Sequence, residues 1–164
     1  MKKILFVLVV LCHQASAQTF TLKSDDLGGQ FSETFTCSGE NRSPELHWSN
    51  APAATKSFAI TMYDPDAPTG SGFWHWVIVD IPATTMAIKQ NSLPAGSLTS
   101  VNDTGKPGYQ GPCPPEGDAA HRYIITVYAV NTAKLGTTST AAMTGFMLNK
   151  AAIAKASILV YAKR

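Results

Sequence analysis

Residues 122–130 read RYIITVYAV, the longest β-branched run in the chain. Ile, Thr, Val and Tyr crowded together suit a pleated strand better than a helix. The apolar side chains fall on both faces of that strand, as in one covered from both sides. Residues 74–81 (WHWVIVDI) read the same way and stop at Pro82; residues 57–63 (SFAITMY) do so and end at Asp64-Pro65. Shorter strand-like stretches flank them. Residues 20–23 (FTLK) alternate, residues 46–48 (LHW) lie between two Asn/Pro turns, and residues 158–162 (ILVYA) close the chain. The sequence holds 12 Gly and 10 Pro to make the turns between them, so a mostly β domain is expected.

Helical signal is confined to one region. Met143, Phe146 and Met147 stand at i, i+3 and i+4 and share a face, and residues 150–155 (KAAIAK) are good helix formers. Ser139 or Thr140 can cap the start. The spacing predicts that the Met/Phe stripe packs into the core, in one bent helix or in two short ones broken at Asn149.

Residues 1–17 have the form of a secretory signal peptide. Lys2 and Lys3 precede a short apolar run, and Ala15-Ser16-Ala17 offers a small-x-small cleavage site. The run is too short for a membrane span, which takes about 20 apolar residues. Export to the periplasm or the exterior is expected, with residues 18–164 as one folded domain. The full chain carries 13 basic and 11 acidic residues, so loss of Lys2 and Lys3 leaves it near neutral. No basic stripe suited to nucleic acid remains. Cys12 departs with the leader, and Cys37 and Cys113 are left as an even pair in an oxidising compartment. A Cys37–Cys113 disulfide is expected.

Two long irregular stretches, residues 64–73 (DPDAPTGSGF) and 102–120, each lead into a strong strand. Long loops on a rigid scaffold are where binding residues concentrate. The first carries Asp64 and Asp66 around Pro65. Next comes His75 between Trp74 and Trp76, and strict alternation puts it on the face opposite both indoles. The second stretch leads into His121-Arg122-Tyr123, where His121 and Tyr123 share a face and Arg122 takes the other. An imidazole beside a phenol at a strand end suits an anion or a polar head group. His47, His75, His121, Asp64 and Asp66 include metal-ligand types, but no HxH, HxxxH or CxxC spacing links them, so no metal is expected. There is no GxSxG elbow and no free Cys beside a His, so neither a catalytic residue nor a cofactor is expected.

The motif Asp64-Pro65-Asp66-Ala67-Pro68 followed by His75, and Gly111-Pro112-Cys113-Pro114-Pro115 followed by His121-Arg122-Tyr123, resemble the two signatures of the phosphatidylethanolamine-binding protein family. The resemblance covers residues 19–163 and is nearest the bacterial, exported, Raf kinase inhibitor-like branch. It implies a PEBP-like β-sandwich: a large central sheet, a smaller second sheet, and short peripheral helices including a C-terminal helical region. It also implies a shallow pocket for phosphate-type anions or phospholipid head groups. That pocket would be lined by Asp64, His75, His121 and Tyr123 and rimmed by Asp66, Pro68, Gly111 and Pro112. In this picture Asp64 holds one imidazole in a fixed tautomer, while the other imidazole and Tyr123 face the ligand. A homodimer is implied by bacterial members. The chain departs from eukaryotic members in its short 69–74 linker and in ending soon after a strand, which alters the rim and argues against kinase inhibition. The alternatives are a modulator or inhibitor of another protein acting through the two loops, and a hydrolase using His75, His121 and Asp64.

Overall fold

The computed structural model describes residues 18–137 and 140–164. The predicted leader, residues 1–17, lies outside them, as does Ser139. The described residues form eight strands in two antiparallel sheets. The small sheet has the order β1 (Thr21–Lys23), β2 (Leu46–Ser49), β5 (Ala87–Ile88). The large sheet runs β6 (Leu98–Thr99), β4 (Phe73–Pro82), β3 (Ser57–Asp64), β7 (His121–Val130), β8 (Ala152–Ala162). Among the described residues a 3₁₀ turn spans Glu33–Phe35, and α1 spans Ala141–Ala151. The expected mostly β fold with a large and a small sheet is present.

The continuous apolar runs have a direct cause. Leu22, Leu46, Trp48 and Ile88 of the small sheet meet Phe58, Ile60, Met62, Ile78, Ile125 and Val127 of the large one in a single core. On the opposite face of the large sheet, Ala59, Val77, Val79 and Val130 are covered by Ala141 and Leu148 of α1. β3 and β4 are therefore buried on both sides and have no polar face to show. Each such Val, Ile or Phe contributes roughly 1.5–3 kcal/mol on burial.

Three sequence expectations are corrected. First, β4 is bulged: Trp76 pairs with Met62 and Trp74 with Tyr63, so His75 is the extra residue. Trp76 stays in the inter-sheet core, edge-on to Tyr109. Trp74 turns to the α1 side, against Tyr63 and Gly145. His75 is therefore not opposite both indoles; it shares the inter-sheet side with Tyr123, 5.2 Å between ring centroids. Second, the Met/Phe stripe of α1 is not core. Met143 and Phe146 are 49% and 54% exposed, while Ala141, Thr144, Gly145 and Leu148 face the sheet. Small side chains at i, i+3 and i+4 let the helix lie close, and a Cβ on Gly145 would stand 3.0 Å from the Trp74 ring. Thr140 is the cap, its hydroxyl accepting from Met143 N at 3.1 Å. Third, residues 152–155 are strand. They open β8, whose pairing with β7 runs from Val130↔Ala152 to His121↔Ala162. That ladder overrides the local helix preference of KAAIAK.

The Cys37–Cys113 disulfide is formed, with Cα atoms 5.4 Å apart. It fastens the segment before β7 to the 3₁₀ turn region. Cys37 N donates to Pro112 O at 3.1 Å and Gly111 N to Asn41 Oδ1 at 2.7 Å. Only glycine fits at 111, where a Cβ would come within 2.5 Å of Phe35 O.

Candidate functional site

Asp64 ends β3, 2% exposed, and both its oxygens are engaged. Oδ1 accepts the backbone N–H groups of Asp66 (2.8 Å) and Ala67 (3.1 Å), which turns the loop 65–72 back on itself. Oδ2 accepts His121 Nδ1 at 2.8 Å. His121 opens β7, also buried, and its Nε2 faces Asp118 Oδ2 at 3.4 Å. Burial alone would depress the His121 imidazolium, but the hydrogen bonds and charges of Asp64 and Asp118 outweigh it, so its pKa lies above the ordinary 6.5.

The β4 bulge presents His75 beside this pair, 4% exposed. Gln110 clamps it twice: Gln110 N donates to His75 O at 3.0 Å, and His75 Nδ1 donates to Gln110 O at 2.9 Å. Burial pushes the His75 pKa below 6.5, and the Gln110 carbonyl and the Asp64 charge recover only part of that. Asn102 and Asp103 brace the same bulge. Asp103 N donates to Trp74 O (3.0 Å), Trp74 N to Asp103 Oδ2 (2.8 Å), and Asn102 Nδ2 to Gly108 O (3.1 Å).

These groups open on a cavity of about 310 Å³, near the lower end for small-molecule sites. Asp64, His75 and His121 line it, with Pro68, Phe73 and Gln110 among the walls. The two loops singled out in the sequence do meet here. Among the rim residues predicted from sequence, Pro68 lines the cavity. Gly111 and Pro112 are buried behind it, and Gln110, Cys113 and Pro115 stand in their place. Asp66 points away to Arg122, accepting from its backbone N (2.8 Å), Nε (2.9 Å) and Nη2 (2.6 Å). Those bonds hold the Asp66 carboxyl down to about 2 and pin the loop to β7. Tyr123 lies beneath the floor. It is 0% exposed, its ring edge-on to His75, and its hydroxyl is buried near Asp64 and the Cys113 backbone, with no hydrogen bond of good geometry among the described residues. Burial, then the neighbouring Asp64 charge, raise its pKa, so the phenol stays neutral. The orienting role assigned to Asp64 falls on His121; His75 is oriented by Gln110 instead.

Sequence reasoning missed Gln110, Asn102 and Asp103. Their side chains and carbonyls act through a bulge that no residue pattern announces. His47 stands apart on β2 with Asp25 and Glu45, their ligand-type atoms within 4.8 Å of one another. This partly exposed cluster is away from the cavity.

The model of the phosphatidylethanolamine-binding protein family matches residues 21–162. The UPF0098 protein YbcL of Escherichia coli (strain K12) is 42% identical over 168 residues, covering 93% of this chain and 92% of its own. The UPF0098 protein YbhB of the same organism is 47% identical over 128 residues, covering 73% and 80%. The crystal structure of E. coli YbcL, described as a new member of the mammalian PEBP family, aligns with a TM-score of 0.85 at 41% identity, over 88% of this chain and 98% of that one. A homolog from Chlamydia trachomatis aligns at 0.79 with 24% identity, over 88% and 97%, and shares the fold.

Proposed function

The chain belongs to the phosphatidylethanolamine-binding protein family, and from that premise we propose that it is an exported binding protein for small phosphate-type anions or phospholipid head groups. The carrying observation is the buried Asp64–His121 pair beside His75 on the wall of one small cavity. His121 lines that space as an imidazolium held between Asp64 and Asp118, and burial strengthens its field. The pocket is a holder and performs no reaction in this reading. The hydroxyls of Thr69 and Thr104 donate to Gly72 O and Asn102 Oδ1, and the Cys113 sulfur is tied in the disulfide. None of these is poised as an activated nucleophile. Leader-like residues 1–17 and the disulfide support a periplasmic or secreted location.

The test is a titration of the protein with inorganic phosphate and phosphoethanolamine, followed by NMR of the His ring signals. Saturable shifts at His75 and His121 are expected, abolished by His121→Ala. Ring signals that stay still at millimolar ligand would remove the anion-binding reading.

A further inference from the structure

An anion site needs donors, yet two of the innermost groups here present lone pairs. His75 commits its Nδ1–H to Gln110 O. A neutral imidazole so bound leaves Nε2 as an acceptor. Among the described residues, only Trp48 Nε1 and the Tyr123 hydroxyl are both sealed and unpaired. The Gln110 and Gly111 backbones lie against the His75 ring, but only Nδ1 makes a close hydrogen bond among those residues, so Nε2 keeps a face on the cavity that His75 lines. Asp64 Oδ2 takes one N–H from His121 and retains a second lone pair. The positive charge of His121 is matched by Asp64 and faced by Asp118 as well, so the site holds no net excess to draw in a dianion.

Lone pairs facing a bound oxyanion sort ligands by whether they carry a proton. Sulfate and a phosphodiester have no ionisable hydroxyl and would leave Nε2 unpaired against their own oxygens. Dihydrogen phosphate and a phosphomonoester monoanion carry a P–OH, from which Nε2 can accept a hydrogen bond. Building on the anion-binding reading, we propose that the cavity selects oxyanions bearing a P–OH, that is phosphate and phosphomonoesters over phosphodiesters and sulfate, with His75 Nε2 as the specificity-determining acceptor. Free phosphomonoester head groups then fit the site better than the diester of an intact lipid. Other groups around His75 do not reverse this. Asp64 and Asp103 favour its protonation but are outweighed by burial, and the Tyr123 and Phe73 rings pack against it.

The experiment is calorimetric titration at about pH 6.5, where phosphomonoesters, with a second pKa near ~6, still hold a monoanion fraction. Four ligands are compared: phosphate, phosphoethanolamine, glycerophosphoethanolamine and sulfate. Phosphate and phosphoethanolamine are expected to bind at least about tenfold more tightly than the other two, the scale of one unpaired buried acceptor. Vesicles of phosphatidylethanolamine should not retain the protein on sedimentation. As pH falls through the titration of His75 the phosphate-to-sulfate ratio should narrow, because protonated His75 turns Nε2 into a donor, and His75→Ala should level the two anions. Sulfate or the diester binding within about threefold of phosphate at pH 6.5 overturns the selectivity while leaving anion binding intact. Binding by none of the four removes both.

Discussion

Replacing Cys37 and Cys113 together by serine should lower the melting temperature by roughly 10–15 °C. The bridge joins positions 76 residues apart. Loop-closure entropy for that span is about 15 cal/mol/K, or about 4.5 kcal/mol at 25 °C, all of it arising in the unfolded chain. The folded state loses little else. Cys37 N–Pro112 O (3.1 Å), Gly111 N–Asn41 Oδ1 (2.7 Å) and Tyr109 OH–Phe35 O (2.8 Å) hold the same two segments together without the sulfurs. In a domain of this size about 1 kcal/mol moves the midpoint by roughly 2–4 °C, which sets the expected range. Urea unfolding followed by circular dichroism should show a lower midpoint and a steeper slope, since the uncrosslinked chain exposes more surface when it opens. The His75 and His121 ring signals should keep their native positions in the folded variant. A double-serine protein melting within about 3 °C of wild type would refute the reasoning and show that the stability lies in the hydrogen bonds alone.

Asp64→Asn should destabilise by about 3 kcal/mol, because it removes the closer and more buried of the two carboxylates that face His121. Since His121 titrates above its ordinary 6.5 when folded, its contribution is complete below that pH and is lost as pH rises through the folded value. The gap in urea midpoint between wild type and variant should therefore shrink on the alkaline side, and a His121 ring titrating at or below 6.5 in the wild type would contradict the pair. Gly145→Val should cost about 1–3 kcal/mol by driving a Cβ into Trp74, whereas Phe146→Ser should stay within about 0.5 kcal/mol. Thermal melts showing the opposite ranking would mean that α1 packs by its Met/Phe face.

The parts of the fold readable in the sequence are those that burial writes into composition. β3, β4 and β7 lie between two apolar layers, so their residues are apolar without alternation and stood out. β5 and β6, two residues each, are held by partners rather than by propensity and left no trace. The His121–Tyr123 spacing placed both residues on one side of β7, but position along a strand does not tell depth. Tyr123 is sealed from the cavity, its ring edge-on to His75 at 5.2 Å and to Phe31 at 5.5 Å between centroids. The α1 stripe misled for a related reason. A helix laid against a sheet can use small residues for close approach and leave its large ones in solvent, with Lys150 Nζ 4.5 Å from the Phe146 ring centroid. His75 was misplaced because one inserted residue inverts the alternation beyond it, and bulges depend on both strands at once.

The two cavity loops are fastened by different physics, and this decides which residue is the clean probe of binding. The 102–120 segment is tied covalently and by Gln110, Asn102 and Asp103. Loop 65–72 hangs from one carboxylate at its base, from the Tyr63 hydroxyl donating to Ser71 O at 2.7 Å, and from the surface pair Asp66–Arg122, which salt screens. The base carboxylate is Asp64, whose Oδ1 shapes the loop and whose Oδ2 orients His121. Any change at Asp64 alters the loop, the imidazole and the site charge together, so a loss of affinity there does not identify a ligand contact. His75 holds no loop through its ring except by Nδ1 to Gln110 O, and the Gln110 N–His75 O bond survives its replacement because it is backbone to backbone. Affinity changes at position 75 therefore report on what its Nε2 meets in the cavity, and a ligand-by-ligand comparison there carries more chemical information than any substitution at position 64.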